Sequence, residues 1–120
     1  MERIDERTYK FALRIIKLVS SLPHNSTSAV LGKQVLRSGT SIGANVEEAY
    51  AAVSPREFTQ KMSIALKEAR ETHYWLRLIK DSELVAANRI DPLIKKALEI
   101  KLMLGKTVMT SKKLKGKSDE

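Results

Sequence analysis

Residues 37–49 read Arg37-Ser-Gly-Thr-Ser-Ile-Gly-Ala-Asn-Val-Glu-Glu-Ala49, and two architectures compete for them. Gly39-Thr-Ser-Ile-Gly43 fits G-x-S-x-G, a hydrolase nucleophile elbow in which the serine sits on a sharp strand-to-helix turn. The rival is periodicity. Leu31, Val35, Ser38, Ile42, Val46, Ala49 and Val53 recur every three or four residues straight across the glycines, the spacing of one helix face. An elbow needs a strand before the serine, and then an acid and a histidine after it in chain order. Here a helical pattern lies on both sides, and only His73 follows Ser41. The stretch is therefore predicted to be the middle of a helix. Glycine inside a helix costs about 0.5–1 kcal/mol relative to alanine, so Gly39 and Gly43 need a reason: close approach of a neighbouring backbone, or a local bend.

Outward from this helix the same period repeats. Ile4, Phe11, Ile15, Leu18 and Leu22 share a face flanked by Ala12, Ile16 and Val19, and the segment ends at Ser20-Ser-Leu-Pro23, where proline stops a helix. Ser54-Pro-Arg-Glu57 carries an N-cap serine, a proline at the first helical position and a glutamate at the third, a capping box. Phe58, Met62, Ala65, Ala69, Thr72, Leu76 and Ile79 follow it. In the last segment Leu93, Ala97, Ile100, Leu104 and Val108 share a face. Its start is ambiguous: Asp91-Pro92 reads as N-cap and first residue, or one helix begins near Ser82 and kinks at Pro92. No segment alternates with period two. Four amphipathic helices on short loops predict an all-α, up-down antiparallel four-helix bundle over residues 1–110, with residues 111–120 a basic, disordered tail.

The chain has 120 residues, no cysteine, and 42% hydrophobic and 30% charged residues, one domain of a globular protein. Without cysteine there are no disulfides and no thiolate metal sites. No apolar run reaches membrane-spanning length and the charged start, Met1-Glu-Arg-Ile-Asp-Glu-Arg7, is unlike a signal peptide. The expected location is cytoplasmic, with no membrane partner. The net charge is +8, carried by residues 1–30, 55–80 and 106–120. Such a balance fits a polyanionic partner or, equally, a surface kept basic for solubility.

Chemistry-bearing patterns are few. No Gly-Lys-Ser/Thr closes a phosphate loop, and no Glu-x-x-His pairs occur for a di-iron bundle. No catalytic residue, metal site, cofactor or small-molecule substrate is expected. The informative features lie on the outer faces. Gln34, Ser41, Asn45 and Glu48 form a polar stripe, either solvated or networked to a neighbouring helix. Ile64, Trp75 and Leu78 cluster on one flank of the third helix with Glu68 and Glu71 between them. A second apolar stripe holding the single tryptophan points to homo-oligomerisation rather than a widened core. Arg56, Lys67, Arg70, Tyr74 and Arg77 share another arc, a solvated face or a phosphate-binding one on which Tyr74 stacks a base.

Gln34, Arg37, Ser41, Ile42, Asn45 and Glu48, followed by Phe58 and the Ala65-Leu66 dipeptide, resemble the motif of the four-helix bundle proteins of the 23S-rRNA intervening-sequence type. The motif is confined to residues 34–69, and Ala49 and Gly43 stand where the family often has glycine and proline. The resemblance implies a bundle that assembles into a homopentameric ring, with no enzymatic activity and no cofactor. A related branch serves as accessory protein of a reverse transcriptase in diversity-generating retroelements, where a basic ring surface is thought to meet nucleic acid. The expected function is thus a non-enzymatic homo-oligomer whose basic surface binds RNA or a nucleoprotein. The alternative is a protein-interaction scaffold whose charge serves solubility.

Overall fold

The structure, a computed structural model, describes residues 2–118, with side chains described to residue 114. Four helices follow one another: α1 (Ile4–Ser20), α2 (Ser26–Tyr50), α3 (Pro55–Asp81) and α4 (Ala87–Ser118). Each packs on two neighbours, α1 on α2, α2 on α3, α3 on α4 and α4 back on α1, which is the closed square of an up-down bundle.

Local chemistry sets the ends. Asn25 caps α2 by accepting the Ser28 N–H at 2.8 Å, and Ser54 caps α3 by accepting that of Glu57 at 3.1 Å. The Glu57 carboxylate returns to the Val53 N–H at 3.3 Å, completing a box of reciprocally satisfied donors. The predicted faces are the buried ones: Ile4, Phe11, Ile15, Leu18 and Leu22 on α1, Met62, Ala65, Ala69, Thr72, Leu76 and Ile79 on α3, and Leu93 to Val108 on α4. Val53 departs from its series. It lies beyond the α2 C-cap at Ala51 and is 93% exposed, because the chain has left the helix before the period returns to the core.

Gly39 and Gly43 of α2 face α1. A Cβ on Gly39 would lie 2.9 Å from Ile15 Cγ2, and one on Gly43 would meet the Thr8 main-chain carbonyl at 3.4 Å. Both glycines are buried in a continuous helix with negative φ, so they serve close approach of α1 and not a turn. Buried hydroxyls beside them are satisfied: Thr8 donates to the Ile4 carbonyl at 2.8 Å, and Thr72 pairs with Ser38 across the α2–α3 seam at 2.9 Å.

Both predicted starts of α4 are displaced. Ser82 caps the end of α3, and Glu83 takes the left-handed conformation at φ 59°. The Glu83 N–H donates to the Lys80 carbonyl, and the Leu84 N–H to that of Ile79; this is a Schellman stop, which absorbs the carbonyls a helix end leaves unpaired. Asp91 is held by Lys80 at 2.7 Å, so it caps nothing. Pro92 sits inside α4 one turn from its start, where it forfeits the bond to the Asn88 carbonyl and its ring crowds that carbonyl. The domain boundary expected at residue 110 falls within α4, which runs on as helix through Ser118; its Lys-rich sequence has good helix propensity, and the Ser111 hydroxyl is hydrogen-bonded to that of Thr59 on α3. The expected tail residues 119 and 120 lie outside the described residues.

Candidate nucleic-acid interface

The two flanks of α3 differ in charge, and that difference defines the site. On the α2 flank the cations are compensated. Arg37 donates to Glu68 at 3.1 Å and to Glu71 at 2.8 Å, and Lys61 pairs with Glu48 at 2.8 Å. The polar stripe of α2 thus divides. Glu48 crosses to α3, as does Arg37 beside the stripe, whereas Ser41 donates to the Arg37 carbonyl at 2.6 Å and Asn45 to the Ser41 carbonyl at 2.9 Å. Ser41 is engaged with its own helix, Ile42 is fully buried and Gln34 is half-buried. Among the described residues no group of His, Cys, Asp and Glu is arranged to hold a metal ion.

Glu68 and Glu71 shift in opposite directions beside Arg37. Burial pushes the Glu68 carboxyl up despite the guanidinium beside it, whereas the Arg37 hydrogen bond holds that of Glu71 down. Ionised Glu71 therefore adds stability above the ordinary carboxylate range that is lost as pH falls through its lowered value; ionised Glu68 costs stability that protonation recovers. Arg37→Gln removes the first contribution and raises the second cost. Because Arg37 is half-exposed, the expected loss at pH 7 is about 1–2 kcal/mol rather than that of a fully buried pair. It shrinks on acidification to pH 4, as measured by urea unfolding at both pH values.

On the other flank of α3, Lys80 is compensated by Asp91 of α4 at 2.7 Å, but the cations N-terminal to it are not. Lys67, Arg70, Tyr74 and Arg77 are all exposed along consecutive turns, and the Arg77 guanidinium lies 5.9 Å from the Tyr74 ring centre. Across the seam α4 contributes Lys101, Lys106 and Lys112, which with Arg70 line a groove of about 760 Å³ floored by Leu66, Leu102 and Gly105. None of Lys67, Arg70, Arg77, Lys101, Lys106 or Lys112 forms an ion pair among the described residues. His73 reports the crowding: burial, then Lys101 and Arg77, hold its imidazole below the ordinary range. A Cβ on Gly105 would meet nothing within 4 Å, so the floor is open.

Of the five arc residues, Arg70 lines the groove and Arg77 lies beside Tyr74, while Lys67 is exposed outside the groove lining. Arg56 is exposed in the first turn of α3, three turns from Lys67. The α4 lysines are the additions, and their signal is the four-three-four spacing of Lys101, Gly105, Val108 and Lys112. The flank assigned to oligomerisation is more deeply set than expected. Ile64 is 37% exposed, Leu78 is half-buried, and Trp75 packs against the core with its indole N–H buried and unpartnered among the described residues. Larger exposed apolar stripes occur elsewhere: Tyr9, Leu13 and Ile16 on α1, and Leu98, Leu102 and Met109 on α4. No described helix is long and apolar enough to cross a membrane.

Residues 3–106 match the family described as 23S rRNA-intervening sequence protein. A crystal structure of a protein with unknown function from the S23 ribosomal protein family of Bacteroides thetaiotaomicron is 39% identical. It covers 88% of this chain and 98% of its own, with a TM-score of 0.82. No curated protein matches.

Proposed function

Because the chain belongs to the 23S rRNA-intervening sequence protein family, we propose that it is a non-enzymatic, cytoplasmic RNA-binding protein, working as a homo-oligomeric ring of five copies. The RNA backbone lies along the α3/α4 groove. Lys67, Arg70, Arg77, Lys101 and Lys112 neutralise phosphates, and Tyr74 offers a face on which an unpaired base stacks. The observation that supports this reading is the cluster of Arg70, Lys101, Lys106 and Lys112 around the groove, without ion-pair partners among the described residues, where Arg37 and Lys61 on the α2 flank and Lys80 at the end of α3 are each paired.

Ring closure needs two different complementary patches on each copy, since a head-to-tail contact joins unlike surfaces. The Ile64, Trp75 and Leu78 flank of α3 supplies one. The Tyr9, Leu13 and Ile16 stripe of α1, 60%, 52% and 44% exposed, supplies the other. Sedimentation equilibrium at micromolar concentration is expected to give about five times the 13.5 kDa chain mass, falling to one chain in Leu13→Asp or Ile64→Asp. A wild-type protein that stays monomeric removes the ring. Binding of a structured RNA is expected to weaken steeply as salt rises; no binding at low salt leaves the scaffold reading in its place.

A further inference from the structure

The seam between α1 and α4 changes character along its length. In its middle, Arg7 and Lys96 both reach Glu99, at 3.3 Å each, so the cations are compensated. Two turns further along α1, Arg14 and Lys17 meet Arg89 of α4 around a cleft of about 280 Å³ floored by Leu18 and Leu93, with no acidic residue in its lining. The three cations are exposed and none forms an ion pair among the described residues.

Two local rules are broken here at once. Like charges converge without a counter-charge, and Arg89 stands in the first turn of a helix that has no acidic residue there, where the helix dipole favours anions and opposes cations. Such disagreement between local electrostatics and the fold marks functional positions. An anion in the cleft relieves the first of these: it screens the three cations from one another. A phosphate group fits the cleft, and its two negative charges answer three donors in the geometry guanidinium groups serve best.

We infer that the Arg14/Lys17/Arg89 cleft is a binding site for a phosphate monoester. It stands on the α1 flank of α4, three turns from Lys101 and on the other side of that helix from the α3/α4 groove, and it does not depend on RNA lying in that groove. The monoester comes either from a free nucleotide or from the 5′ end of an RNA strand.

Titration of the isotope-labelled full chain with inorganic phosphate and with adenosine 5′-monophosphate is expected to shift amide resonances of residues 14–18 and 87–93. Arg14→Gln and Arg89→Gln each weaken that binding about tenfold, the scale of one charge-assisted contact, whereas Lys33→Gln does not. Arg89→Glu abolishes it and yet raises the unfolding midpoint, because an acid replaces a cation at the helix start; a merely structural arginine would lower it. If RNA ends are the source, a 5′-phosphorylated oligoribonucleotide binds more tightly than its 5′-hydroxyl form, and the difference vanishes in Arg14→Gln. If free nucleotides are the source, the two oligoribonucleotides bind alike and the mononucleotide still binds. The inference is overturned if phosphate and the mononucleotide leave residues 14–18 and 87–93 unshifted, or if Lys33→Gln weakens binding as much as the cleft variants.

Discussion

Replacing Arg70, Lys101 and Lys112 together with glutamine is expected to weaken RNA binding about a hundredfold at low salt, followed by fluorescence anisotropy. The three side chains line one groove and have no ion-pair partner among the described residues, so their loss removes phosphate contacts without breaking a bridge that holds the fold. Each contact releases counterions from the nucleic acid. The slope of log affinity against log salt should therefore become shallower by about 2, at roughly 0.7 per neutralised phosphate on a single strand. Arg37→Gln, on the compensated flank, is expected to change the slope little, because Arg37 is already committed to Glu68 and Glu71. Equal losses from the two changes would mean that overall charge, and not the groove, governs binding.

Gly39→Val is expected to destabilise the bundle by about 3 kcal/mol, the upper end of overpacking costs, lowering the thermal midpoint by roughly 10 °C for a domain of this size. Its Cβ would approach Ile15 Cγ2 to 2.9 Å, and Ile15 is itself fully buried, so the neighbour has nowhere to go. Valine adds two methyl groups on the same side. Gly39→Ala places the same Cβ against Ile15 and is expected to destabilise too, but by less than valine, since it lacks the two added methyl groups and recovers about 1 kcal/mol of helix propensity. Differential scanning calorimetry of the two variants separates close packing from backbone freedom. If glycine were needed for an unusual backbone conformation, alanine and valine would be comparably damaging.

Much of this architecture was legible because the helices advertise themselves in the sequence. The Ser54-Pro-Arg-Glu57 box names the start of α3, and the four-three spacing of Phe58 to Ile79 names its buried face. The start of α4 was not legible. Ser82 and Glu83 have the residue types of a helix start but form a helix stop, and the left-handed position at Glu83 lacks the glycine that usually marks it.

The interface divides the same way. Its α3 half follows from periodicity. Its α4 half was hidden because residues 81–105 sum to zero charge, with Lys101 balanced by acids elsewhere in the segment, and because helix continuing past residue 110 puts Lys112 on the groove. The partners of Arg37 sit 31 and 34 residues away on another helix, a pairing that only the packing of α2 on α3 creates. The family motif marked Arg37 without saying what it touches.

Lysine acylation footprinting read by mass spectrometry tests whether RNA occupies the α3/α4 groove. With a structured RNA bound at low salt, Lys67, Lys101 and Lys112 are predicted to be protected, while Lys33 on α2 reacts as in the free protein. Protection of Lys33 to the same degree, or full reactivity of Lys101 and Lys112 in the bound state, would contradict that occupancy.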